Sequence, residues 1–451
     1  MSFYNKLFNI KSNEGLYGSA SLMTNRELRN LFHRKPQGIS LDSKKHLKPE
    51  FTCLNTLVVA PTGAGKSSML KGNILQKTAK YPHSFWAVDL SSELYRDCHK
   101  WTEKQGMINK IINLDDASKS LRFNPLLVAK NTPNGIEDLA SLLIQVQYEG
   151  ASGGDPYWRD AGESILHLLF LAVTADGQSE LPQTLESVYS LLLWFGAQNE
   201  RLDKFILTHL RGNEKAKDEY KSLVANSGEN SKMLLSVVST AKSAIAKITN
   251  NKTLCEITSS DNFEIHTLRQ IPQSIWIQVS EYRLGNSGVK AMLSIINTFL
   301  FSQCIMDSPK DGGSQLDIHC YIDEGGAYIC KGLDVLVSQV RKHKISIQIF
   351  VQEIEQLKIY GQSQFKVLIN NCINKCFFGS VSNESADWAS SLIGDETREV
   401  LERPIGIRLL SAQQIRNLPP HEMLFIHKSK AAILKLRPWY TQRVLKKRSQ
   451  L

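Results

Sequence analysis

Apolar residues recur along this chain in two different periods, and the change from one to the other divides it. From residue 51 to about 135, short apolar and β-branched runs alternate with stretches of three- and four-residue spacing. Leu54-Asn55-Thr56-Leu57-Val58-Val59 reads as a buried strand, Ser84-Phe85-Trp86-Ala87-Val88-Asp89-Leu90 as a second and Lys110 to Leu114 as a third. Helices are predicted after Ser67 toward Lys80 and over Glu93 to Gln105. Strands alternating with helices imply a doubly wound parallel sheet with right-handed crossovers. Over 136–262 the spacing becomes helical throughout, in six segments from Ile136–Tyr148 to Lys232–Ile248. This predicts an all-α domain inserted into the α/β unit, with a mobile glycine-rich loop, Gly150 to Gly154, where it begins. Strands resume over 263–451 at Ser274–Ser280, Asp317–Asp323, Ser346–Gln352 and Lys375–Ser380, with a long helix from Val289 to Met306. Met423–His427 and Ala432–Leu436 predict an edge hairpin. Residues 1–50 are polar and basic, a predicted arm with a short helical pattern at 25–32.

Chemistry enters where the first strand ends. Ala60-Pro61-Thr62-Gly63-Ala64-Gly65-Lys66-Ser67 is a Walker A loop with alanine at its first position. Strand, loop and helix follow in the required order. Backbone N–H groups turning inward around Gly63 and Gly65, together with the helix N-terminus, suit phosphate oxygens. Thr62, Gly63, Ala64, Gly65, Lys66, Ser67 and Ser68 are the expected nucleotide contacts. Lys66 would reach the β- and γ-phosphates, and the Ser67 hydroxyl would ligate Mg²⁺. A turn that binds nothing is the alternative.

A second motif narrows the field. Ile318 to Ile322 followed by Asp323-Glu324 is a Walker B pattern, with Asp323 for the Mg²⁺ shell and Glu324 to polarise water. The expected fold is therefore a RecA-like P-loop domain carrying an all-α insert. Gln352, ending the next strand, suits a sensor of the γ-phosphate. Arg341 suits an arginine finger toward a neighbouring subunit, the alternative being a solvated basic helix end.

Composition adds a direction. The net charge of +10 favours acidic partners such as nucleic acid or an anionic membrane face, although Lys446-Lys447-Arg448 and the basic N-terminus would also serve as solvated tails. The eight cysteines lack the paired spacing of a zinc site and suit reduced thiols of a cytosolic protein. Uninterrupted apolar runs are shorter than a membrane span; the longest covers 165–174.

These motifs in series resemble the coupling proteins of type IV secretion and bacterial conjugation, which are hexameric P-loop ATPases. The resemblance runs from the Walker A loop through Asp89 with Glu93-Leu94-Tyr95, Phe123-Asn124-Pro125-Leu126 and Asp155-Pro156-Tyr157-Trp158-Arg159-Asp160-Ala161. It continues through Asp323-Glu324, Arg341, Gln352-Glu353, Gln356-Leu357, Tyr360-Gly361, Asn370-Asn371 and the segment from Leu410-Ser411 to Leu418-Pro419. Leu90-Ser91-Ser92 departs from the family's Pro-Lys-Gly, and the chain has none of the N-terminal membrane helices most members carry. The resemblance implies an ATP- and Mg²⁺-dependent homo-hexamer, assembled alone or only with DNA or a partner. It would be cytoplasmic, either docking at the inner membrane on a separate anchor partner or having had its own anchor removed from this sequence, and would pass a relaxase–DNA complex or secreted protein effectors to the secretion channel. The competing readings are a soluble duplex-DNA translocase of the HerA or septal-pump type and a low-turnover substrate-binding adaptor.

Overall fold

The computed structural model describes residues 17–41, 45–148, 156–177, 179–225, 231–309, 315–328, 330, 332–400 and 403–451. The glycine-rich loop predicted at 150–154, Asp155 of the motif that follows it and the first sixteen residues of the arm lie outside these.

In chain order the strands are β1 (Phe32–His33), β2 (His46–Leu47), β3 (Thr56–Val59), β4 (His83–Asp89), β5 (Ile108–Asn113) and β6 (Gln273–Gln278). They continue as β7 (Asp317–Ile322), β8 (Ile345–Val351), β9 (Asn374–Phe378), β10 (Asp395–Val400), β11 (Arg403–Arg408), β12 (Glu422–His427) and β13 (Lys430–Lys435). Nine of them form one sheet in the order β13-β12-β9-β3-β8-β7-β4-β6-β5. All pairs from β9 to β5 are parallel, whereas β12 lies antiparallel to both β9 and β13. The doubly wound sheet and its edge hairpin are thus both present. The hairpin of β10 and β11, which has no counterpart in the predicted elements, stands outside the sheet and receives the N-terminal segment through Ala20 N–H to the Asp395 carbonyl, 2.9 Å.

Side chains alternate across the sheet and so build two apolar layers. Leu57, Val59, Trp86 and Val88 face one layer; Val58, Phe85 and Ala87 face the other. The first layer takes the helical insert, whose helices run from Gly135–Gln147 to Lys252–Ile257 with no strand among the described residues. Its core is continuous with that of the sheet, through the helix Ser287–Met306. On that helix Asn297 accepts a hydrogen bond from the Trp86 indole of β4, 3.0 Å, satisfying a fully buried polar pair. The same helix is long and apolar enough to cross a membrane, but it is largely enclosed and packs as a core helix.

The second layer takes the helices Lys66–Gln76 and Glu93–Lys104, the described part of the N-terminal arm and the C-terminal helix Arg443–Ser449. The arm packs on the core of its own chain. Thr24 and Glu27 form a capping box that starts the helix Asn25–Leu31, and Leu31, Phe32, Ile39, Leu41 and Leu47 are buried. The Ser40 N–H donates to Asn73 of the P-loop helix at 2.7 Å.

Gly288 marks where the insert meets the sheet. A Cβ there would lie 2.0 Å from the Lys247 carbonyl oxygen, a backbone atom that cannot yield cheaply. Gly288→Ala is expected to cost about 1–3 kcal/mol in denaturant unfolding, as overpacking does. Unchanged stability would show that the two helices part without cost.

Candidate nucleotide site at the carboxyl edge of the sheet

Register brings the site together. Val59 of β3 pairs with Val351 of β8, and Ile322 of β7 pairs with Ile349. Ala60, Asp323 and Gln352 therefore leave the sheet side by side at its carboxyl edge, where open parallel sheets bind ligands. The Ala60 N–H still donates to the Val351 carbonyl, 2.9 Å, so the P-loop begins rigidly.

Gly63 and Gly65 have φ of +79° and +122°, values that require glycine here. Nothing stands within 4 Å of a Cβ position on Gly63, so the loop is open there. Helix Lys66–Gln76 follows with no side-chain cap, and its first intrahelical bond runs from Met69 N–H to the Gly65 carbonyl, 2.9 Å. The N–H groups of Lys66, Ser67 and Ser68 are thus the orphan donors of a helix N-terminus, suited to an anion. Ser67 is exposed at this mouth. The Ser68 hydroxyl accepts from the Trp439 N–H at 3.3 Å, which leaves its own proton and its backbone N–H to donate.

Lys66 joins the two motifs. Its ammonium lies 3.1 Å from Asp323 Oδ1 and makes an ion pair with Glu324 Oε1. The Gln352 amide donates to the same Glu324 oxygen at 3.1 Å. Glu324 sits at φ +51°, an uncommon conformation for a side-chain-bearing residue, and two glycines after it permit the turn. A Cβ on Gly325 would lie 2.6 Å from the Ile349 side chain, and one on Gly326 2.4 Å from Cβ of Gln356. Gln356 in turn accepts from the Gln352 N–H at 2.8 Å, bracing Gln352 against Glu324.

Two carboxylates share one ammonium in a largely enclosed site. Burial, reinforced by the Glu324 charge, pushes the Asp323 carboxyl up to about 6 despite the pull of Lys66. For Lys66, burial works downward but the two carboxylates outweigh it, and its pKa is raised. Both directions hold because the cluster has one more negative charge than positive.

Arg341 and Asp89 stand further from the phosphate loop. Arg341 lies where expected, between β7 and β8, on the 3₁₀ segment Val340–His343 that continues the helix Leu333–Gln339, exposed to solvent. Since β8 spans seven residues, Arg341 lies about 20 Å from the Walker motifs of its own chain, at the opposite edge of the sheet. The Asp89 carboxylate accepts from the N–H groups of Leu94 at 3.2 Å and Tyr95 at 2.8 Å, holding the start of the next helix. The Leu90-Ser91-Ser92 departure forms the turn into that helix, with Ser92 at φ +56°. Its neighbouring acids are served by Lys71 of the P-loop helix, which bonds Glu93 at 2.9 Å and Asp97 at 2.7 Å.

Sequence reasoning missed one wall of the site. A cleft of about 310 Å³ opens beside the P-loop, lined by residues 61–64, 378–380 and 418–421. Its local signals are the turn-forming Pro419-Pro420 pair and Leu418-Pro419 at the end of the family-like segment.

Fold and site together define a RecA-like P-loop nucleotide-binding protein with a helical insert. The profile of the family described as "Type IV secretory system Conjugative DNA transfer" matches residues 13–417, and the chain belongs to that family. Among solved structures, the plasmid coupling protein TrwB in complex with ADP and Mg²⁺ aligns with a TM-score of 0.70 at 16% identity, covering 93% of this chain and 94% of TrwB. TrwB in complex with the non-hydrolysable ATP analogue ADPNP gives 0.69 at 16% identity, covering 93% of each chain. VirB4 of Thermoanaerobacter pseudethanolicus gives 0.57 at 14% identity, covering 89% of this chain and 96% of VirB4. At such identities the likeness is one of fold. A search of curated proteins found no match.

The raised Asp323 pKa has a sign that can be measured. The folded chain binds this proton more tightly than the unfolded chain, so the group lowers stability at pH values above about 6, and its cost disappears as pH falls toward the ordinary 3.8. Asp323→Asn should therefore be more stable than the parent by about 1–3 kcal/mol at pH 8 and indistinguishable near pH 4, in denaturant melts. Equal stability at pH 8 would refute the burial account.

Proposed function

We propose that the chain is an ATP-hydrolysing coupling protein of a type IV secretion or conjugation system. The observation that carries this reading is the convergence of Lys66, Asp323, Glu324 and Gln352 at one end of a parallel sheet. The open P-loop, the orphan helix N–H groups and the adjacent carboxylates fit MgATP chemically. Lys66 would exchange its carboxylate partners for β- and γ-phosphate oxygens. That exchange frees Asp323 to hold, with the Ser67 hydroxyl, a Mg²⁺ ion that neutralises phosphate charge. Glu324, released from Lys66 but still bonded to Gln352, would orient a water and take its proton. Gln352 begins the segment that contacts Tyr328 and Cys330 through Tyr360, a route by which loss of the γ-phosphate could move neighbouring elements.

Arg341 cannot serve its own site from the opposite edge of the sheet. Its exposure there supports a role across the interface of a head-to-tail ring, with each site completed by the next subunit. A homo-hexamer that recruits a relaxase–DNA complex or protein effectors through the helical insert, at the cytoplasmic face of the secretion channel, is the assembly this reading requires. The net charge of +10 supports DNA as part of the cargo.

Lys66→Ala and Glu324→Gln should each abolish ATP hydrolysis while leaving thermal unfolding intact, with rates measured with and without duplex DNA at fixed salt because any basic protein binds DNA at low salt. Full activity of Glu324→Gln would rule the assignment out. Arg341→Ala should also be inactive alone. Mixed in equal amounts with Lys66→Ala it should regain roughly one quarter of the parent rate, the share of interfaces pairing an intact P-loop with an intact arginine. A mixture that stays inactive would place Arg341 outside a shared site.

A further inference from the structure

The stretch that carries Arg341 is short and exposed, so whatever holds it decides where that arginine points. Val340–His343 is a single 3₁₀ segment, a form whose own hydrogen bonds are poorly aligned. Val340 is buried, and Lys344 at φ +51° ends the segment with a left-handed turn into β8. The helix before it is tied to the entry of β3, where Asn55 donates to the Val337 carbonyl at 2.7 Å. Its far end is held by the guanidinium of Arg269.

Arg269 lies in the segment that leads into β6, and its side chain is buried. Among the described residues the guanidinium bonds only main-chain carbonyls, on three separate elements. Nη2 donates to the His343 carbonyl at 2.6 Å and to the Cys304 carbonyl at 3.0 Å, Nε to the same Cys304 oxygen at 3.1 Å, and Nη1 to the Leu316 carbonyl at 2.9 Å. Cys304 is in the last turn of the helix Ser287–Met306, where carbonyls lack intrahelical donors and favour a cation. Leu316 immediately precedes β7, and His343 closes the Arg341 segment. Arg269 is itself fixed, since the Leu268 carbonyl before it accepts from the Ser84 hydroxyl of β4 at 2.8 Å.

Such a placement is electrostatically costly. Burial lowers the pKa of Arg269, and although the charges of Asp307 and Asp317 offset part of that, the residues flanking His343 include the cations Arg341, Lys342 and Lys344. What the guanidinium supplies is geometry: a planar fork of N–H donors that reaches three carbonyls at once, which the point charge of a lysine does not reproduce.

We infer that Arg269 is the positioning residue for Arg341: by tying the His343 carbonyl to the last turn of the helix Ser287–Met306 and to the entry of β7, it sets the direction in which Arg341 meets the next subunit's nucleotide. The inference rests on the shared site proposed above. Because the same helix joins the insert to the sheet, Arg269 also links the insert to the Arg341 segment.

Arg269→Lys in the full chain, assayed with the same DNA and salt as the parent, tests it. The charge stays and the fork is lost, so kcat should fall about tenfold or more while the KM for ATP stays within about twofold, since the variant's own P-loop is untouched. Subunit mixing separates positioning from a general loss of structure. In equal mixture with Lys66→Ala, Arg269→Lys should regain about one quarter of the parent rate, because its intact P-loops then meet well-placed arginines. In equal mixture with Arg341→Ala it should show no more than its own low rate, because neither subunit places an arginine. The reverse pattern would put Arg269 in the service of its own P-loop and overturn the proposal. Recovery with both partners or with neither, or a parent-like kcat for Arg269→Lys alone, would also overturn it. If instead Arg341→Ala keeps the parent rate, or fails to complement Lys66→Ala, the shared site itself falls, and the positioning role with it.

Discussion

A single lysine ammonium shared between two adjacent carboxylates is the contact on which the rest of the structure converges. Lys66 ends the P-loop, and Asp323 and Glu324 end β7, so their meeting requires β3, β8 and β7 to lie in that order with their carboxyl ends level. Enclosed ion clusters add little to stability, because desolvation offsets much of the Coulombic gain. This one is also unbalanced, with two acids to one base, and burial drives the Asp323 carboxyl upward. Such an arrangement suits exchange: a phosphate can take the lysine, and a cation can take the aspartate.

Each layer of the sheet contributes differently to that contact. The layer bearing the insert is a continuous apolar core through the helix Ser287–Met306, so displacement of the insert is coupled mechanically to the strands. The opposite layer holds the P-loop helix in place. There the C-terminal segment acts as a strap: the Trp439 N–H bonds Ser68, Arg448 lies 4.0 Å over the Trp101 ring, and the Arg448 guanidinium donates to the Leu75 carbonyl at 2.6 Å. The family profile ends at 417, yet residues 418–421 complete the cleft beside the P-loop and residues 436–448 brace it. Residues beyond the matched range thus support the P-loop.

Three of the nine described non-glycine residues with positive φ stand at the site. Glu324, Ser380 and His421 all occupy the left-handed region, and all border the nucleotide site. Elsewhere such positions close ordinary turns, as Ser92 does before its helix. The glycines after Glu324 have a different purpose. At Gly325 and Gly326 they let the acidic turn press against β8 and Gln356, which fixes where the Glu324 carboxylate points.

Strands, helices and both Walker motifs were legible from local pattern alone, because a buried parallel strand is a continuous apolar run and a phosphate loop is contiguous in sequence. The order of those strands was not, since pairing joins residues hundreds of positions apart. That order decided that Gln352 touches Glu324, that Arg341 stands at the wrong edge for its own site, and that Asp89 holds a helix start. It also brought residues 380 and 421 beside a loop at 61–64, where no spacing along the chain could have placed them. Contiguous chemistry is written in the sequence; chemistry assembled by strand order exists only once the sheet has formed.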